Sequence, residues 1–452
     1  MSRKIAIVGA SIDAFIQLHY LISGKNSSSE YDEDQIVLIH DPDKVYPFLL
    51  SPVGTALFGG VESEYTSLNL NRSFAHKHFA ATDCHGSKFI GWGNHTNFNV
   101  TVTPQVHTHL DIEKFREYFI KDGGKSFGDN ISIIEEKIDS FNIDEYTING
   151  VEYDYIIDCT EKEPLIAPDD YGTPVNSFTN TVMVLEKPFK GDWDFTIQYA
   201  AKYGHVIGIP LGDKQLWAYY YDNTKVAGHE IKDDFVTLFP DEHIPCCEPS
   251  EYTFTKVEHQ QKVSNYIIDP THNRYIRNGR SAFTFEPITC QLQLGVQTLS
   301  NIIKDHIYSG HQMTGTLQNF GEMASEYMLP LVSFMFQYGS IHDNEFWNNA
   351  KKVSCDHLEL SVYTHPYDNS DWRDNILTDD WGDKEYKKVL TVIEHEETRP
   401  DGQTALPYRF MEIYSLFYEL ASGLGASYAD KFDSFDIIYP PENFGEIGYT
   451  FI

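Results

Sequence analysis

The chain is short of positive charge: 34 lysines and arginines stand against 67 aspartates and glutamates, for a formal net charge of −33. A phosphate backbone would be repelled over most of such a surface, so no nucleic-acid partner is expected. Long apolar runs are missing too. No stretch of ~18 uninterrupted apolar residues occurs, so neither a transmembrane helix nor a membrane partner is expected. The opening Met1-Ser-Arg-Lys4 runs straight into a strand pattern with no secretory leader, and the expected location is cytoplasmic. The cysteines, Cys84, Cys159, Cys246, Cys247, Cys290 and Cys355, form no CxxC pair and keep no regular spacing, which argues against a disulfide framework or a zinc ribbon. No metal is expected: His76-Lys-His78 and His107-Thr-His109 each put two imidazoles on one face of an extended segment, but no third ligand can be named. No serine nucleophile elbow, HExxH helix, Walker loop, internal repeat or low-complexity tract is expected either.

What is there is a long, folded-type chain of 452 residues, 41% hydrophobic and 14% aromatic. Lys4-Ile-Ala-Ile-Val8 is a short apolar strand, Gly9 breaks it, and Phe15, Leu18 and Ile22 recur at helical spacing before a second strand, Gln35-Ile-Val-Leu-Ile39. Strand, glycine turn, helix and strand make a Rossmann-type βαβ opening whose first turn faces a ligand. Residues 46–101 have little periodicity and are expected as long loops and short helices over that ligand site. A helix from Asp111 should cross to a third parallel strand, Tyr153–Ile157, and runs such as Leu216-Trp-Ala-Tyr-Tyr-Tyr221 alternate like antiparallel sheet. Leu299, Ile303 and Ile307 share one helical face, and Met411–Leu420 is helical in pattern.

The expected fold is therefore α/β: a Rossmann-type FAD-binding domain interleaved with an antiparallel-sheet substrate layer, then a mainly helical C-terminal part, as in flavin monooxygenases. The boundaries are 1–180 for the FAD-binding part with inserted loops, 181–270 for the antiparallel sheet, 271–322 for the return to the FAD-binding domain and 323–452 for the helical part.

Gly9-x-Ser11-x-x-Ala14 is a degraded GxGxxG, in which the first position makes a tight turn, the second lets backbone approach a pyrophosphate and the third allows close helix packing. By itself it is equally an ordinary strand-to-helix turn. The second strand ends His40-Asp41-Pro42, so a ribose hydroxyl would be met by His40 or by Asp41. Asp158, after an apolar strand, is also a common turn starter.

Four distant phrases keep a common order: Ile7-Val-Gly-Ala-Ser-Ile-Asp-Ala14, Ile157-Asp-Cys-Thr160, Gly204-His-Val-Ile-Gly-Ile-Pro-Leu211 and Phe285-Glu-Pro-Ile-Thr-Cys-Gln291. Together they resemble the flavin-dependent halogenases, often labelled tryptophan halogenases, in a divergent and virus-encoded branch. Phe334–Ser340 and Asn344-Glu-Phe-Trp347 resemble the helix and the Phe-Trp phrase that follow the flavin domain in that family.

The resemblance implies reduced FAD (FADH2) supplied by a separate flavin reductase, and a halide (chloride, bromide or iodide) converted with oxygen to hypohalous acid. It also implies a small electron-rich aromatic substrate, and leaves a homo-oligomer open. Cofactor contacts would come from Gly9, Ser11, Ala14, His40 or Asp41, Asp158, Cys159, Gly279, Arg280 and Pro287.

The chemistry-bearing positions depart from the family pattern. Its WxWxIP phrase reads His205-Val-Ile207-Gly-Ile-Pro210, so Ile207 and Pro210 would line the tunnel while both tryptophans are lost. The lysine phrase aligns with Thr82-Asp-Cys-His-Gly-Ser-Lys-Phe89, which puts Cys84 at the expected lysine and Lys88 at the second basic position. The catalytic glutamate becomes Thr289, and the halide-binding backbone falls on Gln291 and Leu292. Cys84, Lys88, Thr289 and His205 are thus the catalytic candidates. A positioned acid contributes roughly two to four powers of ten in rate, so its loss slows a reaction whose oxidant is made at the flavin without excluding it. Easily oxidised halides, bromide or iodide, suit such a site best. A flavin monooxygenase on the same scaffold and a non-catalytic halogenase-like protein are the competing expectations.

Overall fold

The computed structural model describes residues 2–44, 56–57, 72–84, 86–92, 97–101, 107–161, 164–166, 177–188, 196–212, 214–238, 253–258, 262–264, 266–286, 291–308, 317, 336 and 340–353. Five parallel strands form the first sheet, in the order Tyr275–Arg277, Tyr155–Asp158, Lys4–Val8, Gln35–His40, Ile131–Glu135. The expected crossover is corrected here. The helix Ile112–Asp122 leads to the edge strand Ile131–Glu135, and Tyr155–Asp158 lies on the other side of the first strand. Ile131-Ser-Ile-Ile-Glu135 is too short a run, flanked by Asp, Asn and Glu, to stand out in the sequence. Between these two strands sits a small meander of Phe141–Asn142, Thr147–Ile148 and Val151–Glu152.

The second sheet has seven strands, ordered Thr253–Glu258, Thr181–Pro188, Lys214–Tyr221, Gly204–Leu211, Thr196–Ala201, Gly86–Ile90, Asn97–Thr101. Its pairs are antiparallel except where Thr196–Ala201 meets Gly86–Ile90 in parallel. Two of its strands therefore come from the segment expected as loops. Only pairing with an already formed sheet edge makes them strands.

Alternation along Gly204–Leu211 explains how the layers join. His205, Ile207, Ile209 and Leu211 face one way, and Ile207, Ile209 and Leu211 enter the same apolar core as Ile5 and Ile7 of the parallel sheet. Val206 faces the other way with Trp217, Tyr219 and Tyr221, under Ile231 and Phe235 of the helix Gly228–Thr237. Gly208 is required on that second face, since a Cβ there would lie 2.3 Å from Trp217 Cζ3.

The helix Ile12–Lys25 crosses the helix Gln291–Tyr308 so closely that a Cβ on Gly24 would meet Tyr308 Cδ2 at 2.5 Å. Of the helical part expected at 323–452, only Phe336 and residues 340–353 are described, with 345–353 helical. The expected helix Met411–Leu420 lies outside the described residues.

Candidate active site

The turn after the first strand is tightly packed. Gly9 has φ +123°, and a Cβ there would lie 2.5 Å from the Cys159 carbonyl oxygen, so the loop is pressed against the turn that follows Tyr155–Asp158. Ser11 is the N-cap of the helix Ile12–Lys25, its hydroxyl accepting from Ala14 N–H at 3.3 Å. Ser11 and Ala14 are both buried.

Around this loop four charged side chains converge, each less than one-tenth exposed: Asp13, Arg116, Glu161 and Arg280. Asp13 lies in the first helical turn, against the segment that carries Gly279 and Arg280. Gly279 has φ +58°, and a Cβ there would sit 2.5 Å from Asp13 Oδ2. The Arg280 backbone N–H donates to Asp13. Burial pushes the Asp13 carboxyl up from 3.8 to about 6, with the Arg280 charge opposing the rise and Glu161 adding to it. Arg116, from the helix Ile112–Asp122, donates Nε–H to the Ala10 carbonyl at 2.9 Å. Its Nη2 lies 3.7 Å from Glu161 Oε2 and is a buried donor with no hydrogen-bond partner among the described residues.

Asp41 and His40 differ in what they have left to offer. The two Asp41 carboxylate oxygens accept from the backbone N–H groups of Asp43 and Ile138, both at 2.9 Å. His40 is buried, and its Nδ1 has no partner among the described residues. Burial and the Arg116 charge lower its pKa, so the imidazole is held neutral. Asp158 is saturated: Oδ1 accepts from the Thr160 N–H and hydroxyl, and Oδ2 from Leu165 N–H and the Tyr275 hydroxyl. Its side chain organises the turn, which presents backbone to the loop through Cys159. The Cys159 thiol is buried and its pKa is pushed well up by burial and by Asp13 and Asp158.

At the tunnel phrase, His205 Nε2 donates to Glu286 Oε2 at 3.0 Å, with both side chains fully buried. Glu286 Oε1 accepts from the Thr179 N–H and hydroxyl at 2.8 and 2.7 Å. The imidazole stacks on Tyr220 with ring centroids 4.9 Å apart, and Trp92 and Phe336 close its edges. His205 Nδ1 and Trp92 Nε1 are buried without a partner among the described residues. Ile207 is fully buried on the same face, and Pro210 pairs with Gln215 across the sheet.

Cys84 ends the strand Thr82–Cys84 opposite His107, whereas Lys88 lies in Gly86–Ile90 opposite Ile197 and Asn99. The lysine phrase thus divides between two sheets. The side chains of Cys84 and Lys88 lie outside the described residues, as do Pro287 and Thr289 entirely. Gln291 and Leu292 open the helix Gln291–Tyr308, with their side chains also outside that set.

One reading outside this site is resolved by geometry. The letters G-x-S-x-G do occur, at Gly124-Lys-Ser-Phe-Gly128, contrary to the expectation that no such phrase is present. Ser126 follows a helix C-terminus and gives its N–H and hydroxyl to Asp122 Oδ2, so it is a capping residue and not a nucleophile on a strand-to-helix elbow. His76 bonds Asp83, and His109 bonds Thr196.

No protein-family model and no curated protein sequence matches the chain. Solved structures do. MibH, a lanthipeptide tryptophan 5-halogenase, superposes with a TM-score of 0.65 at 13% identity over 98% of this chain and 89% of its own. BrvH, a flavin-dependent halogenase from Brevundimonas sp. BAL3, covers 99% of both chains at a TM-score of 0.60 and 13% identity. Tar14, a tryptophan C-6 flavin-dependent halogenase (chlorinase) from taromycin biosynthesis, covers 78% of this chain and 82% of its own at 0.60 and 14%. The chain has the flavin-dependent halogenase fold.

Within that halogenase fold, the residues that sequence reasoning missed are Asp13, Arg116, Glu161, Thr179 and Glu286. Asp13 and Glu286 stand inside the quoted phrases, and a charged residue in an otherwise apolar or small-residue motif was the available signal. Arg116, Glu161 and Thr179 carry no such mark, because only the tertiary fold brings them to the loop and the dyad.

Proposed function

We propose that this chain is an FADH2-dependent halogenase that uses oxygen and a halide to halogenate an electron-rich aromatic small molecule, with the reduced flavin delivered by a separate reductase. The observation that carries the reading is the convergence of the Gly9–Ala14 loop, the Cys159 turn and the Asn278–Ser281 segment on one buried, charged cradle with an unsatisfied Arg116 Nη2. That cradle fits a dinucleotide: a tight glycine turn, a capped helix start and two guanidinium groups meet there.

When bound, reduced FAD would activate oxygen, and oxygen would supply the oxidising equivalent that turns halide into hypohalous acid. This chain's residues do the rest. Arg116 and Arg280 hold the diphosphate, and Gly9 and Ser11 let the backbone close on it. His40 offers its spare Nδ1 to a ribose hydroxyl, a role for which Asp41 is already committed to backbone. Ile207 and the apolar face around it keep water from the path between cofactor and substrate. His205 takes the place of a bulky indole at the tunnel and, held by Glu286, offers Nδ1 as a hydrogen-bonding group to an oxygen or halide species passing it. Cys84, Lys88, Thr289, Gln291 and Leu292 remain the assignments for the substrate and halide ends.

A flavin monooxygenase activity is the second reading, favoured by one feature: neither position of the tryptophan block is an indole, His205 and Ile207 standing there instead. One assay separates the two. Reduced FAD, oxygen and a panel of phenols and indoles are incubated with chloride, bromide, iodide or no halide, and products are read by mass spectrometry. Halide-dependent mass shifts above a peroxide-only control support halogenation, with bromide or iodide ahead of chloride. An oxygen-adding product formed equally without halide supports the monooxygenase, and no product with any partner defeats both.

A further inference from the structure

We propose that dinucleotide binding at this loop is proton-linked: Asp13 takes up a proton when the diphosphate of FAD enters the cradle formed with Arg116, Arg280 and Glu161. The inference rests on the reading of the loop as a flavin site and concerns how that site is regulated.

The geometry puts a carboxylate where a diphosphate needs positive potential. Asp13 is in the first turn of the helix Ile12–Lys25, two residues after the N-cap Ser11, and only 2% exposed. It packs against the Gly279–Arg280 segment, where only the missing Cβ of Gly279 leaves room for its carboxylate and the Arg280 backbone N–H donates to it. Without ligand, the helix N-terminus and Arg280 stabilise its charge. Counting the four buried groups, Asp13 and Glu161 balance Arg116 and Arg280, so the cradle carries no net charge to spend on an anion.

A bound diphosphate draws on the same helix N-terminus and the same guanidinium groups, and its own charge repels that of Asp13. Both effects favour the neutral acid. Burial has already brought Asp13 to about 6 in the ligand-free protein, so a further rise carries it through neutral pH. The proton then frees Arg280 for the phosphates, while Arg116 presents Nη2, which pairs with Glu161 at 3.7 Å but makes no hydrogen bond among the described residues.

Two other titratable groups facing the cradle are shifted away from this window. The Cys159 thiol is pushed well above its usual 9.0 by burial, and His40 is lowered from 6.5 by burial and by Arg116. Glu161 is the remaining acid, and its charge is met by Arg116 at 3.7 Å.

The test is flavin binding by the full chain, read by flavin absorbance and by calorimetry, without turnover. For the wild-type protein, FAD affinity should weaken by about tenfold per pH unit as pH rises from ~6, and calorimetry in two buffers of different ionisation enthalpy should count uptake approaching one proton near neutral pH. Asp13→Asn should bind FAD with little pH dependence and more tightly than wild type at about pH 8. Riboflavin, which lacks the diphosphate, should show no proton uptake.

Binding of FAD that is independent of pH in the wild type, or an Asp13→Asn protein that keeps the wild-type pH dependence, overturns the inference and leaves the flavin reading standing. If neither protein binds FAD at any pH, the flavin reading falls and this inference with it. The calorimetric proton count needs no variant, so a poorly folding Asp13→Asn does not remove the test.

Discussion

His205 Nε2 lies 3.0 Å from Glu286 Oε2, and Thr179 donates twice to the opposite carboxylate oxygen, so three segments of the chain are joined at one fully buried acid. Removing one partner of a buried pair leaves the other polar group without compensation, which costs roughly 3–5 kcal/mol. Glu286→Leu should lower urea-unfolding stability by about that amount. Glu286→Gln retains an acceptor for His205 or Thr179 and should cost only about half as much.

Gly279 faces two obstacles to any side chain: its φ of +58°, and Asp13 Oδ2 only 2.5 Å from where a Cβ would lie. The left-handed backbone alone costs an L-residue about 1–2 kcal/mol, and overpacking adds about 1–3. Gly279→Ala should therefore reduce the urea midpoint clearly. It should also weaken FAD binding, since the methyl parts the two segments that form the cradle.

Asp13 gives the protein a stability that declines with rising pH in a defined window. Its folded pKa of about 6 lies above the usual 3.8, so between these values the folded state holds a proton that the unfolded state has released. Stability falls as pH rises through that window and the penalty is complete above about 6, amounting to about 3 kcal/mol. Asp13→Asn should accordingly be more stable than wild type at neutral pH and equal to it below about pH 4, as read by denaturant melts across pH.

His19 works in the opposite sense. Burial, aided by the Lys304 charge, lowers its pKa from 6.5 to about 4, so the folded state keeps it neutral where the unfolded chain takes up a proton. Stability from this residue is present above 6.5 and is lost as pH falls toward about 4. His19→Gln should flatten the acid limb of the stability profile between those values.

Arg3 ties three segments together. Its Nε and Nη2 donate to Asp34 Oδ2 at 2.8 and 2.6 Å, Nη1 donates to the Ile307 carbonyl, and the guanidinium lies 4.6 and 4.7 Å from the ring centroids of Tyr31 and Tyr308. Arg3→Ala leaves the buried Asp34 without its cation and should destabilise by about 3 kcal/mol. Arg3→Lys, which cannot reproduce the planar fork, should recover only part of that in urea melts.

Local sequence by itself determined the βαβ opening, the glycine turn and the alternating strand run Leu216-Trp-Ala-Tyr-Tyr-Tyr221, because each depends on periodicity and backbone preference within a few residues. It also marked His205 as an unusual position and Gly279 as a cofactor contact. Tertiary structure alone decided that Gly86–Ile90 and Asn97–Thr101 are strands, because their pairing partners supply the hydrogen bonds that their composition does not demand. It likewise decided that Asp41 and Asp158 serve their own turns, whereas Asp13, Arg116, Glu161 and Arg280 meet at the loop. A carboxylate's neighbours across the fold set its charge and its free lone pairs, and no local pattern records which neighbours those are.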